Sequence, residues 1–236
     1  MRRRRRDPRP DGEWRSQIEQ LARQAQPHGL EIKPEAVERL TTYCCRIELS
    51  NIHHNLVSRA DLENIVQKHV AASLTPLLVA DTGSGRKWVD VGSGAGFPGL
   101  VLALVDPERE VTLIEGSHKR CVFLDGIARD LGLRGVRVIA ARVETVLERQ
   151  QLLGAFDLLM ARAVADLTHT LSAFGALVRP GGQILTYKGP LWSEEVGRAR
   201  SMGLLDNEAY RLEQVLQIPW TQGRILLIRK QAAPAA

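Results

Sequence analysis

The stretch VDVGSGAGFPG, Val89–Gly99, decides the fold that the sequence predicts. Val89-Asp90-Val91 has the composition of a short buried strand, and the glycines that follow it let the backbone turn sharply and approach a ligand closely. Pro98 is suited to begin a helix because its φ is already fixed near the helical value. A strand, a glycine-rich turn and a helix in this order predict a nucleoside cofactor site.

Two carboxylates indicate which cofactor the loop would take. Gly94, Gly96 and Gly99 match the spacing of the dinucleotide fingerprint, and Glu115 lies near the distance expected for a residue that accepts hydrogen bonds from a ribose. Asp90, however, lies just before the loop, where a carboxylate would repel a pyrophosphate and would attract a cationic sulfonium with an amino group. The loop therefore favours S-adenosylmethionine over a dinucleotide.

Short apolar segments alternate with helical patterns on both sides of this loop, which predicts a mostly parallel seven-stranded sheet in a Rossmann-like α/β fold, the class I methyltransferase architecture. Only five residues separate the last two candidate strands, so they should form a hairpin with an antiparallel last strand. Pro180-Gly181-Gly182 is expected as a turn before the fifth strand. The candidate strands are Trp88–Val91, Val111–Ile114, Val136–Ala140, Phe156–Met160, Gln183–Tyr187, Leu212–Ile218 and Arg224–Arg229.

Upstream of the loop the apolar residues recur at helical spacing. One helix is predicted from Trp14, a second from Pro34 and a third from near Asp61. The predicted organisation is a disordered, arginine-rich tail at 1–13, a helical region at 14–84 and a methyltransferase domain at 85–232.

Composition limits the class of protein. The 236 residues are 44% hydrophobic and 25% charged, as in ordinary globular chains. No apolar run reaches the roughly 20 residues of a membrane span, and three cysteines give neither a disulfide framework nor metal-ligand spacing. We therefore expect a cytoplasmic protein without metal or membrane partner. Arg2–Arg6 account for the net charge of +5, so the tail is either a solvated, disordered end or a segment that contacts RNA phosphates.

The region after the fourth strand bears on the methyl acceptor. Ala161-Arg162-Ala163-Val164 lacks the Asn/Asp-Pro-Pro-aromatic motif of enzymes that methylate exocyclic amines of bases. The three cysteines are not placed as nucleophiles for methylation at pyrimidine C5. An acceptor that needs no strong activation remains, and guanine N7, which has a lone pair and no proton, is consistent with that chemistry.

From about Leu40 to Arg229 the chain resembles the RsmG (GidB) family of bacterial 16S ribosomal RNA (guanine-N7) methyltransferases. The most specific block is VDVGSGAGFPGLVLAL, Val89–Leu104, in which Gly-Phe-Pro-Gly matches the Gly-Phe/Leu-Pro-Gly that marks the family. Further blocks follow in order: Lys119-Arg120 with Phe123-Leu124, Arg142-Val143-Glu144, Arg162-Ala163 and Tyr187-Lys188-Gly189, with Asn55-Leu56 and His69 with Ser73 upstream.

The resemblance implies methyl transfer from S-adenosylmethionine to N7 of the guanine at position 527 of 16S RNA, as naked RNA or in the small ribosomal subunit, by a monomer. Arg162 would lie at the transfer site as the catalytic residue, and Lys119, Arg120 and Lys188 are candidates for contacts with RNA phosphates or for plain solvation. The predicted cofactor-binding residues are Asp90, Gly92, Gly94, Phe97, Glu115, Val143, Glu144 and Arg162.

The chain also departs from the family pattern. The family's Arg-His-x-x-Asp-Ser is here Lys68-His69-Val70-Ala71-Ala72-Ser73, which lacks the aspartate, and Asn-Leu-Thr is Asn55-Leu56-Val57. Three other functions stay open at this point. They are a methyltransferase for a small molecule or protein, a non-catalytic RNA-binding protein that relies on the arginine tail, and, least favoured, a dehydrogenase.

Overall fold

A seven-stranded sheet forms the centre of the protein. A computed structural model describes residues 9–81, 83, 86–217 and 223–232, and its strands lie in the order β3-β2-β1-β4-β5-β7-β6. Each neighbouring pair from β3 to β5 is parallel, whereas β7 is antiparallel to both β5 and β6, which confirms the predicted fold class. Ile218 and most of the hairpin loop lie outside the described residues. The strands are β1 (Lys87–Val91), β2 (Glu110–Glu115), β3 (Val136–Ala140), β4 (Phe156–Arg162), β5 (Val178–Lys188), β6 (Tyr210–Gln217) and β7 (Arg224–Lys230).

Helices cover both faces of the sheet, because alternate residues of each buried strand point to opposite sides. In β1, Trp88 packs with one layer of helices, and Val89 and Val91 pack with the other. The first layer comprises α1, α2, α6 and α7, and the second comprises α8, α9 and α10. The helices are α1 (Asp11–Ala25), α2 (Pro34–His54), α3 (Arg59–Glu63), α4 (Ala71–Ser73), α5 (Pro76–Val79), α6 (Gly99–Val105), α7 (His118–Asp130), α8 (Val143–Glu148), α9 (Leu167–Ser172) and α10 (Trp192–Ser201).

The first helix begins earlier than the sequence predicts. Helix α1 starts at Asp11, so the predicted tail boundary at residue 13 is wrong. The Arg9 guanidinium lies 4.4 Å from the centre of the Trp14 ring, and both the Arg9 amide and the Trp14 indole donate to Glu48 Oε2, at 3.1 and 3.0 Å. These contacts attach the chain to α2 before Trp14 is reached. Met1–Pro8, including Arg2–Arg6, lie outside the described residues, as does the predicted boundary at residues 84 and 85.

The predicted third helix is interrupted. Helix α3 ends at Glu63, and Val66–Val70 form a π-helical turn that leads into α4. A π-turn accommodates one more residue than an α-turn, so the apolar stripe changes direction there. Val66 and Val70 remain in the core, while His69 packs against Phe97 in the glycine-rich loop. The extra residue therefore lets one short segment serve both the core and the loop.

Pro180-Gly181-Gly182 lies within β5 as a bulge, and the prediction of a turn ahead of the strand is wrong. Phe156 pairs with Val178 and Leu158 with Gln183, so five residues of β5 span the interval of two residues in β4. Gly181 has a φ of +76°, a conformation that glycine adopts without strain.

We expect the helical region and the sheet to unfold together, because Leu40 of α2 is fully buried in the same hydrophobic cluster as Trp88 of β1 and Leu102 of α6. Leu40→Ala should lower the free energy of unfolding by about 3 kcal/mol. Calorimetry should show one transition at a lower temperature. Leu49→Ala on the same helix, where the side chain is 46% exposed, is the matched control and should change little. Two separate transitions would contradict a shared core.

Candidate functional site

The glycine-rich loop lies at the carboxyl edge of the sheet, between β2 and the segment that follows β4. The Gly92 amide donates to the Ile114 carbonyl at 2.8 Å. Gly92 has a φ of +70°, and a Cβ at this position would lie 2.4 Å from Cγ2 of Val164. The loop and the segment after β4 therefore meet at a point that only glycine can occupy.

Asp90 lies beneath this loop. It is fully buried, and its Oδ2 accepts a hydrogen bond of 2.9 Å from the amide of Gly99, the first residue of α6. Its Oδ1 is buried and has no hydrogen-bond partner within the described residues. Burial raises the pKa of Asp90 to about 7. A buried carboxylate with one free oxygen fits a cationic ligand group and would disfavour an anionic one.

Glu115, at the end of β2, is held by backbone amides on both of its oxygens. Gly94 donates to Oε2 and Ser117 donates to Oε1, each at 2.8 Å. Each carboxylate oxygen retains a second lone pair, so hydroxyl groups of a ligand can still donate to Glu115. Arg120 approaches to 3.8 Å of Oε1, and its side chain is partly exposed. The carboxylate is thus fixed beside the loop before any ligand binds.

The remaining residues predicted to bind cofactor lie in two places. Phe97 is 7% exposed and lies between His69, with ring centres 5.0 Å apart, and Tyr43, at 5.7 Å. Val143 and Glu144 begin α8, after β3; Val143 is buried and Glu144 is exposed. Helix α8 therefore starts at the same edge of the sheet as Glu115, because parallel strands end at the same side.

Arg162 is the last residue of β4, and its guanidinium is held through the Nη2 amino group. Its Nη2 lies 2.6 Å from Nδ1 of His69 and 3.4 Å from the Lys68 carbonyl, to which it donates. Its guanidinium carbon is 5.7 Å from the centre of the Tyr187 ring. The other amino group, Nη1, is buried and has no hydrogen-bond partner within the described residues. The structure therefore leaves the Nη1 amino group of Arg162 available to a ligand.

Three site residues were missed by the sequence reasoning. Tyr43 of α2 donates from its hydroxyl to the Ala95 carbonyl of the loop at 2.7 Å, and no local pattern marks it. His69 and Tyr187 stand in sequence blocks shared with the family resemblance, but their contacts with Arg162 join distant segments. The helical region therefore supplies part of the wall of the site.

The prediction that Lys188 contacts RNA phosphates is wrong, because its ammonium group is turned inward. Lys188 is 6% exposed, and its Nζ lies 2.9 Å from both the Ala165 carbonyl and Glu195 Oε2. Glu195 in turn accepts from the Leu167 amide at 2.8 Å. The pair thus fixes the segment between β4 and α9. Lys119 is exposed, so its predicted phosphate contact stays a prediction.

The cysteines are not activated for nucleophilic chemistry. Cys44 and Cys121 are buried, and burial raises the pKa of both thiols. Cys121 donates to the Glu115 carbonyl at 3.2 Å. Across the described ranges there is neither a group of three His, Cys, Asp or Glu side chains that could hold a metal ion nor a helix long and apolar enough to cross a membrane.

The sheet order, the loop and the acidic residues at the ends of β1 and β2 define a class I S-adenosylmethionine-dependent methyltransferase. Solved structures agree with this fold. TrmN from Thermus thermophilus superposes with a TM-score of 0.51 at 22% identity, over 68% of this chain and 48% of its own. TYW2 from M. jannaschii, in complex with AdoMet, superposes with a TM-score of 0.51 at 17% identity, over 78% of each chain.

The family follows from sequence comparison. The family described as rRNA small subunit methyltransferase G, GidB, matches residues 36–217. The Ribosomal RNA small subunit methyltransferase G of Roseiflexus castenholzii is 38% identical over 220 residues, 92% of each chain, and that of Thermotoga neapolitana is 35% identical over 208 residues, 87% of each chain. The chain belongs to this family, which confirms the resemblance and the predicted cofactor.

Lys188→Met should destabilise the fold by about 2 to 4 kcal/mol, because it leaves the Glu195 carboxylate and the Ala165 carbonyl without their partner. Urea unfolding measures the change, with Lys119→Met as the exposed control. Adding Glu195→Gln to Lys188→Met should restore part of the loss, because the amide oxygen can still accept from Leu167 while no unpaired charge remains. A neutral Lys188→Met variant would show that the pair is dispensable.

Proposed function

We propose that this protein transfers a methyl group from S-adenosylmethionine to N7 of a guanine in 16S ribosomal RNA, at position 527 as the family resemblance implies. Membership of the rRNA small subunit methyltransferase G family supports the RNA substrate. The choice of N7 as the acceptor atom rests on the protonation of the ionisable side chains around Arg162.

These side chains are unsuited to removing a proton from the acceptor. Burial lowers the pKa of His69 to about 4, its Nδ1 faces Arg162, and its Nε2 faces Asp61. Burial also raises the pKa values of Tyr43 and Tyr187, so both stay protonated. An exocyclic amine must lose a proton when it is methylated, whereas N7 of guanine has a lone pair and loses none. The site therefore favours N7 as the acceptor atom.

The chain's own residues fit the cofactor. When bound, S-adenosylmethionine supplies the electrophilic methyl group. The free Oδ1 of Asp90 would accept from its amino group, and Glu115 would accept from the ribose hydroxyls. The predicted set of cofactor-binding residues is retained in this proposal: Asp90, Gly92, Gly94, Phe97, Glu115, Val143, Glu144 and Arg162.

Arg162 would contribute by holding the acceptor. Its free Nη1 can donate to a polar edge of the base, and fixing the reacting groups in line is the main source of rate in a transfer that needs no base. We further propose that the helical region, 14–84, and the methyltransferase domain, 85–232, act together in one monomer. Because ribosomal RNA is the proposed substrate, we also propose that the protein acts in the cytoplasm.

The acceptor is tested with small ribosomal subunits and with naked 16S RNA that lack the modification. After incubation with protein and S-adenosylmethionine, borohydride and aniline should cleave the RNA at position 527, since this treatment breaks the chain at N7-methylguanine. Arg162→Ala should lower kcat about 100-fold, whereas Arg134→Ala at an exposed position should not. Methylation only of proteins or small molecules, or at another atom of the RNA, would contradict the proposal.

Cofactor binding should release a proton at acidic pH. Because burial raises the pKa of Asp90 to about 7, most of this carboxylate is protonated at pH 6 in the free protein. A cationic ligand favours the ionised carboxylate and lowers that pKa, so the affinity should rise as the pH increases through about 7 and level off about one pH unit higher. Titration calorimetry in buffers of different ionisation heat measures the released proton. Asp90→Asn should abolish it, whereas Asp125→Asn, at an exposed position of α7, should not. Equal proton release in both variants would exclude Asp90 as its source.

A further inference from the structure

The hydrogen bond between His69 and Arg162 fixes the protonation state of the histidine. An arginine amino group is a donor only, so Nδ1 of His69 must accept from Nη2 of Arg162 at 2.6 Å and cannot carry a proton. The single proton of the neutral ring is therefore on Nε2. Burial lowers the pKa of His69 to about 4, which keeps the ring neutral near pH 7.

Asp61 lies on the other side of the same ring. Its Oδ1 is 3.6 Å from Nε2 of His69, too far for a hydrogen bond but close enough for the charge to favour a proton on that nitrogen. Lys68 and Ser58 donate to the Asp61 carboxylate, and these bonds lower its pKa to about 2, so it stays ionised. The charged groups that face His69 are Asp61, Lys68 and Arg162.

The ring is also fixed in its plane. His69 stacks on Phe97 with ring centres 5.0 Å apart and an interplanar angle of 26°, so the loop that begins α6 sets its orientation. The hydroxyl of Ser73 donates to the His69 carbonyl at 2.7 Å, which ties the π-helical turn to α4. A carboxylate, an imidazole and a guanidinium thus form a row in which Arg162 comes last.

We propose that Asp61 and His69 are positioning residues for methyl transfer, which hold Arg162 by Nη2 so that Nη1 is presented to the acceptor base. Both residues come from the helical region, 14–84, and neither need touch the substrate. The proposal rests on the proposed function, because it assumes that Arg162 contacts the acceptor. It assigns the helical region a defined part in the chemistry, beyond covering the sheet.

Variants of His69 separate positioning from simple packing. His69→Phe retains a ring against Phe97 but loses the acceptor, so kcat should fall about 100-fold, while the KM and the calorimetric Kd for S-adenosylmethionine change less than about threefold. His69→Asn places an amide oxygen near the position of Nδ1 and should recover kcat to within about tenfold of wild type. His28→Phe, at an exposed position outside the site, is the matched control.

Asp61→Asn tests the tautomer directly. An asparagine amide can donate a hydrogen bond to Nε2, which permits the ring proton to move to Nδ1. A protonated Nδ1 cannot accept the hydrogen bond from Nη2 of Arg162. Ring nitrogen-15 chemical shifts of His69 should show protonated Nε2 in the wild-type protein and a population with protonated Nδ1 in the variant, with a parallel fall in kcat. A purely structural role would leave the tautomer unrelated to the rate.

The outcomes distinguish the two proposals. If the wild-type protein does not methylate guanine N7, the proposed function is wrong. If it does, but His69→Phe and Asp61→Asn retain wild-type kcat, the positioning role is wrong and the proposed function stands. Loss of cofactor affinity in proportion to kcat in either variant would also overturn the positioning role, because it would show that these residues only support the loop.

Discussion

The site depends on the hydrogen bond between the buried carboxylate of Asp90 and the amide of Gly99. This bond joins the end of β1 to the start of α6 and so fixes the loop between them. The close approach that this bond requires also explains why residue 99 is a glycine, because a Cβ at Gly99 would lie 2.7 Å from Cβ of Asp90 and 2.5 Å from Cδ2 of Leu113. Only a residue without a side chain allows the helix to begin this close to the sheet.

The helical region is joined to the loop by polar contacts as well as by the shared core. Tyr43 donates to the loop carbonyl of Ala95, and His69 lies against Phe97 while it accepts from Arg162. A buried hydrogen bond has a strong preference in distance and direction, so these contacts specify the position of the region more narrowly than apolar packing alone. The π-helical turn at Val66–Val70 serves these contacts, because an uninterrupted α-helix would turn His69 toward the hydrophobic core and away from Phe97 and Arg162.

The sequence predicted the features that depend on neighbours in the chain. The strands and the loop were placed correctly, and Asp90 and Glu115 lie near the ends of β1 and β2, because strand periodicity and a glycine-rich turn are local signals. The pairing of Arg162 with His69 joins residues 93 positions apart, and no local pattern encodes it. The exposure of Lys188 was predicted wrongly, because lysines are rarely buried without a charged partner. The partner, Glu195, lies on the following helix, α10, and the sequence does not identify it. The bulge at Gly181 was misplaced because glycine and proline mark a break without specifying its register.

On the proposed function, the charge on Arg162 needs an explanation, because the acceptor guanine becomes cationic as it is methylated. Two unit charges about 4 Å apart repel by about 4 kcal/mol at an effective dielectric constant of about 20, which would slow transfer if nothing opposed it. The neighbours of Arg162 do oppose it: Tyr187 offers the face of its ring, and Asp90 and Asp61 contribute negative charge. The same groups that keep a buried guanidinium ionised therefore also reduce its field at the acceptor. An arginine can then act as a hydrogen-bond donor to the base at a smaller electrostatic cost to the reaction.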